Sequence, residues 1–164
     1  MNQRGCNIAE VLIELWSGET TPTKYVLQAE SVQHQITRQP TVITIPGDQD
    51  TGVPNIIGYD LGIVQETLTI NGIIDTQDRN VESGDPAYEA GVTKTYPGKL
   101  SLRTAILEWW ASIDWTTSPP SGLVHVKTAL GEDYEGIIQQ GQFTLEPAHD
   151  YFHFSLVYRI TKYE

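Results

Sequence analysis

Two long runs of alternating apolar and polar residues, Gly136 to Leu145 and Tyr151 to Thr161, flank the segment Glu146-Pro147-Ala148-His149-Asp150. In the second run Phe152, Phe154, Leu156, Tyr158 and Ile160 fall on one face. His153, Ser155, Arg159 and Thr161 fall on the other, with Val157 the apolar exception. A period of two predicts a strand with one face in a core and one face wet or paired. Proline has a fixed φ and no N–H for a ladder, so Pro147 belongs to the turn. The stretch from Asp133 to Tyr163 therefore reads as one hairpin. At about 3.3 Å per residue its second strand is roughly 36 Å long, against a usual ~5–6 residues. A lone hairpin is marginal in water, so the rest of the chain or a partner chain must cover its apolar face.

The same alternation recurs upstream. Ile8 to Leu15 predicts a strand with Ala9, Val11, Ile13 and Leu15 on one face, and Ser17 to Pro22 follows as a turn. Lys24 to Ile36 predicts a longer strand whose polar residues (Gln28, Glu30, Gln33, His34, Gln35) place it at an edge or bend it. Thr41 to Ile45 is short and β-branched, hence strand-prone, and Pro46 to Gly58 reads as a loop. Ile63 to Ile74 alternates again, with Gly72 marking a bulge or a close backbone approach. Asp75 to Gly98 is polar and punctuated by Gly and Pro. A structureless loop of that length is unusual inside a domain, so it is expected to be mobile or ordered from outside the subunit.

One segment changes period. Leu102, Ile106, Trp109 and Ile113 form a helical stripe, with Ser101 as the expected cap and Pro119-Pro120 beyond the end. Leu123 to Leu130 is a further strand leading into the final hairpin. The expected order is four strands, one helix and three strands in a single domain, residues 1–164. The fold class is mainly β (α+β), a β-sandwich or partly closed barrel with long hairpins and one flanking α-helix.

Charge alters the picture more than composition does. The net charge is −11, and nine acids against two bases between Pro46 and Gly98 supply −7 of it. A surface that grips nucleic acid needs clustered Lys and Arg, so that class is disfavoured. The acidic stretch is either a solvated surface or one that repels a polyanion. One cysteine, Cys6, excludes an internal disulfide framework and a cysteine-based zinc site. The first five residues carry no apolar core of a secretory signal, and no apolar run reaches the ~18 residues of a membrane span. His149 and His153 are four apart, but on a turn and a strand, where that spacing does not bring two rings together. There is no nucleophile elbow and no phosphate loop, and Asp48-Gln49-Asp50-Thr51-Gly52 lacks the remainder of a calcium loop. No enzyme and no cofactor is expected.

The run from Glu135 to Pro147, followed by Tyr151 to Ile160, resembles the closing hairpin of tail and baseplate proteins of tailed bacteriophages. Gln65 to Ile74, which precedes a long loop and a helix, resembles the same family. The resemblance covers roughly residues 63–161. It implies a tail-tube-like fold and a non-enzymatic structural subunit of a phage tail or baseplate: tube, tube initiator or adjacent ring protein. Its partners would be copies of itself, sheets joined in a ring that is commonly six-fold, and other tail or baseplate proteins. DNA would pass through without adhering, and no membrane is involved. The location implied is the tail of the virion, assembled in the host cytoplasm. Trp109, Trp110, Ile106, Phe152 and Phe154 are the candidate core or interface anchors. Asp75, Asp78 and Glu82 are the candidate channel-facing acids. The alternative is a carbohydrate- or receptor-binding β-sandwich using a row of exposed aromatics such as Trp16 and Trp115.

Overall fold

The computed structural model describes residues 11–18, 23–38, 41–45, 55–59, 64–118 and 120–163. In chain order they form β1 (Val11–Ser17), β2 (Lys24–Arg38), β3 (Thr41–Ile45), β4 (Asn55–Tyr59), β5 (Val64–Ile74), β6 (Arg79–Asn80), β7 (Lys94–Tyr96), α1 (Lys99–Ser112), β8 (Val124–Lys127), β9 (Asp133–Leu145) and β10 (Phe152–Tyr163). Six of these strands follow one another antiparallel in the order β1-β8-β9-β10-β5-β2, and β1 pairs back onto β2 to close a barrel. Closure removes the edges that an open sheet leaves to water. Of the two expected architectures, the barrel is the one that forms. Two strands extend it: β7 runs parallel to β2, and β6 lies beyond β7. β3 and β4 make a separate two-stranded hairpin.

The barrel interior follows from the alternation. Leu68 and Ile70 of β5 and Phe154, Leu156 and Tyr158 of β10 are at most 2% exposed, and they meet Ile13, Leu15, Leu27, Val124, Val126 and Ile138 from the other strands. Two glycines let the wall close. A Cβ on Gly72 would run into the Gln28 carbonyl oxygen, just where β2 bulges between Ala29 and Ser31. Both expectations for Gly72, a bulge and a close approach, are met at one place. At Gly136 a Cβ would strike the Arg159 carbonyl oxygen and the Tyr158 ring. The empty position admits that ring, and the Tyr158 hydroxyl reaches the carbonyl oxygens of Val124 (2.7 Å) and Tyr134 (3.1 Å). Burial pushes the Tyr158 phenol well above its ordinary pKa, so it remains a donor.

α1 packs Leu102, Ala105 and Ile106 against the barrel. Its N-cap is Gly98, without a side-chain cap, and not Ser101. Asp78 does the capping from outside the helix. Its carboxylate accepts the Gly98 N–H (2.6 Å) and the Ser101 hydroxyl (2.7 Å). A serine inside the first turn serves this bridge better than a cap, and an anion there meets the positive end of the helix.

The segment from Asp75 to Gly98 departs furthest from expectation. It is held by the chain itself, with β6 and β7 inside it. Ala87 is buried, and Lys94 is 6% exposed between Glu14 of β1 (2.5 Å) and Glu89 (3.0 Å). Lys24 also reaches Glu14, at 3.7 Å. Burial pulls the Lys94 ammonium pKa down, but the bonds to Glu14 and Glu89 outweigh it and leave the pKa raised. β4 lies partly within the stretch expected to be loop. Among the described residues, the expected order of four strands, a helix and three becomes seven, a helix and three. The strand expected from Ile8 begins within the described residues at Val11; residues 8–10 lie outside them.

Candidate functional site

Four strands, β2, β5, β10 and β9, outrun the barrel. β1 pairs only with Val11↔Ala29 to Leu15↔Tyr25 of β2, so among the described residues Glu30 to Arg38 has β5 on one side and no strand on the other. β8 pairs β9 only from Asp133 to Gly136. Beyond it Trp110 donates its indole N–H to the Ile138 carbonyl oxygen at 2.6 Å, closing one position of that edge. Among the described residues, Gln139 to Leu145 has β10 alone beside it. Among the described residues, β2 from Glu30 to Thr37 and β9 from Gln139 to Leu145 thus have a strand on one side only. Unpaired backbone N–H and C=O groups in a row are a template for another strand.

The two faces of this sheet differ. Toward the barrel and helix lie Leu68, Ile70, Phe154 and Leu156. Away from them the register lines up Ser31-Asn71-Ser155-Gln142, then Gln33-Thr69-Val157-Gln140, then Gln35-Thr67-Arg159-Ile137. The Asn71 amide donates to the Ser31 hydroxyl at 3.3 Å. In these three rows amides and hydroxyls dominate. Arg159 is the one charge in them, and Glu30 borders them at the bulge. In a chain of net charge −11 this face is close to neutral.

The helix side of the β9 edge holds a groove of about 310 Å³, lined by Lys99, Arg103, Ile106, Leu107, Trp110, Gly141 and Phe143. Leu107 is 44% and Trp110 40% exposed. At the opposite corner, Ile36 (65%) and Val64 (49%) stand exposed on β2 and β5.

The candidate anchors divide accordingly. Ile106 and Phe154 are buried, Trp109 and Phe152 pack half-buried against the core, and Trp110 borders the groove. Trp109 meets Tyr25 edge-on at 5.9 Å. Of the candidate acids, Asp75 follows directly on β5 and its carboxylate accepts the Thr76 N–H (2.6 Å). Asp78 is committed to the helix start, and Glu82 is exposed with its N–H bonded to Asp85 (3.0 Å). Trp16 lies stacked on His125 at 5.1 Å with the Lys24 ammonium 4.3 Å from its ring, so it offers no bare platform, whereas Trp115 is 62% exposed. Among the described residues, no group of three or more His, Cys, Asp or Glu is placed to hold a metal ion. The β2 side was foreshadowed by strand length and by its polar residues, the β9 side by strand length alone, and the groove by nothing in the pattern, because it depends on which flank of α1 lies beside β9.

No protein-family model matches the chain, and no curated protein matches it. A solved structure described as the cryo-EM structure of the anti-feeding prophage baseplate, 6-fold symmetrised, is similar. It aligns over 100% of this chain and 96% of that chain at 11% identity, with a TM-score of 0.44.

Proposed function

We propose that this chain is a non-enzymatic structural subunit of a tailed-phage-type tail or baseplate, which joins copies of itself head-to-tail into a ring around a DNA path. The observation that carries the reading is that, among the described residues, β2 beyond Ala29 and β9 beyond Ile138 lie at the two sides of one sheet with no strand outside them. The order β2-β5-β10-β9 alternates in direction, so β2 and β9 run oppositely. Rotation about an axis along the strands preserves direction, so β2 of one copy meets β9 of the next antiparallel. The joint is heterologous, and such joints close into rings when the rotation closes. Six copies is the number the sequence resemblance implies.

In that ring the neutral face of amides and hydroxyls is turned to the lumen. A face poor in Lys and Arg releases few counterions from DNA and so does not hold it. Of the acids expected to face the channel, Asp75 is best placed at the rim of this wall, where β5 leaves the sheet. Asp78 serves the helix. Tube, initiator and adjacent ring protein share this geometry. Sedimentation of the purified protein tests the reading: a species at a fixed multiple of the 18.3 kDa subunit supports it. A monomer at every concentration and salt ends it.

A further inference from the structure

We propose that the outward flank of α1, with the groove beside it, docks an acidic amphipathic helix of another protein. Apolar residues fall on two flanks of α1. Leu102, Ala105 and Ile106 are buried on one. Leu100, Leu107 and Trp110 lie on the other and are 65%, 44% and 40% exposed. At about 100° per residue, Leu100, Arg103, Leu107 and Trp110 fall within roughly 80° of one another. One apolar stripe suffices to seat a helix on its own domain. A second, recurring after three and seven residues, is the seam that one helix offers to another. The groove of about 310 Å³ continues this seam down to Gly141 and Phe143 of β9. The indole bond from Trp110 to Ile138 fixes the ring before any partner arrives. Trp and Arg are also the residue types that most often anchor an interface.

Charge selects the occupant. The chain has 10 bases against 21 acids, yet Lys99 and Arg103 line the groove and no acid does. Among the described residues neither cation forms a salt bridge. The Lys99 ammonium instead lies 5.5 Å from the centre of the Phe152 ring. Glu108, the only acid of α1, belongs to the other side of the helix. There, after burial and Asp78, its charge helps to raise the Tyr25 phenol. Carboxylates beside an apolar seam therefore complement this flank. A second copy of α1 would offer it Lys99 and Arg103 and no acid. A lipid surface fits less well, because the groove is concave and an anionic bilayer repels a chain of net charge −11. The contact uses side chains above the sheet and not the β9 backbone, so it stands whether or not a strand is added there.

The test uses two labelled, end-blocked peptides of three heptads. Both carry Leu at the first and fourth positions; one has Glu on the flanks of that seam and the other has Lys. Fluorescence anisotropy against the full-length chain, at about 0.15 M salt, reads binding. The net charge of −11 favours the basic peptide over the chain as a whole. The flank of α1 should reverse that, with the acidic peptide bound about tenfold tighter or more. Leu100→Lys and Leu107→Lys should each remove this binding. Both positions are exposed, so circular dichroism and urea midpoints should match the unaltered chain. Lys99→Glu combined with Arg103→Glu should turn the preference toward the basic peptide. An acidic peptide that binds no tighter than the basic one, or not at all, overturns the proposal. So does acidic-peptide binding that survives these substitutions. Co-sedimentation with phosphatidylserine vesicles that is lost in Leu107→Lys overturns it in favour of a lipid surface. Self-assembly of the unaltered chain that is lost in Leu100→Lys overturns it in favour of a second copy.

Discussion

Gly136→Ala tests how the barrel closes. The methyl would meet the backbone carbonyl oxygen of Arg159 and the ring of Tyr158, and a backbone atom cannot move aside as a flexible side chain can. Forcing extra volume into a packed site costs about 1–3 kcal/mol. The relief open to a side chain, displacement of the Tyr158 ring, breaks the hydroxyl's bonds to Val124 and Tyr134 and leaves buried carbonyl groups short of a donor. That adds about 1–3 kcal/mol, so the expected total is about 2–6 kcal/mol. Tyr158→Phe alone removes only the hydroxyl and should cost about 1–3 kcal/mol. The double variant should then lose less than the sum, because the alanine has already broken what the phenylalanine removes. Urea denaturation of the unassembled subunit, followed by far-ultraviolet circular dichroism, reads all three. Gly136→Ala within ~0.5 kcal/mol of the unaltered protein, or strictly additive losses, would refute the close-packing argument.

Replacing Lys94 with Met should destabilise by about 1–3 kcal/mol in the same assay, because Glu14 loses its nearest cation at a largely buried site and keeps only Lys24, at 3.7 Å; an unchanged midpoint would contradict that. Asp78→Ala should cost about 1–2 kcal/mol, with amide exchange fastest at the start of α1, since it removes the acceptor for Gly98 and Ser101. Burial, then the bond to Glu132, pushes the Tyr134 phenol from its ordinary 10 to about 12. The folded state therefore keeps a proton that the unfolded chain gives up. Its contribution is present below pH 10 and is lost as pH rises from 10 toward 12. Tyr134→Phe should flatten the stability profile in that window, and an identical slope would count against the assignment.

Much of the wall was readable in the residues. The face of Phe152 to Ile160 and that of Leu68 to Ile74 are fixed by alternation, since each inward position has a core partner. Gln33, Gln35 and His34 marked β2 as an edge or a bend, and among the described residues it bulges at Glu30 and has β1 beside it only as far as Ala29. What escaped has two physical causes. β6 and β7 are two and three residues long, too short to show a period, and β7 is held by Lys94 reaching Glu14, 80 positions away in the chain. The start of α1 escaped because its anchor, Asp78, lies 20 residues before Gly98 and outside any capping pattern. The candidate site was less legible than the fold. Strand length pointed to a partner, but the groove exists only because α1 sets Leu107 and Trp110 beside Gly141 and Phe143. Acids counted along the chain did not indicate the neutral face, which is assembled across four strands.

Negative-stain electron microscopy of the purified chain tests the central claim most directly. The account predicts closed rings with an open centre, built from subunits related by rotation alone. Single particles of subunit size, or two-fold dimers in which like edges meet, would contradict it.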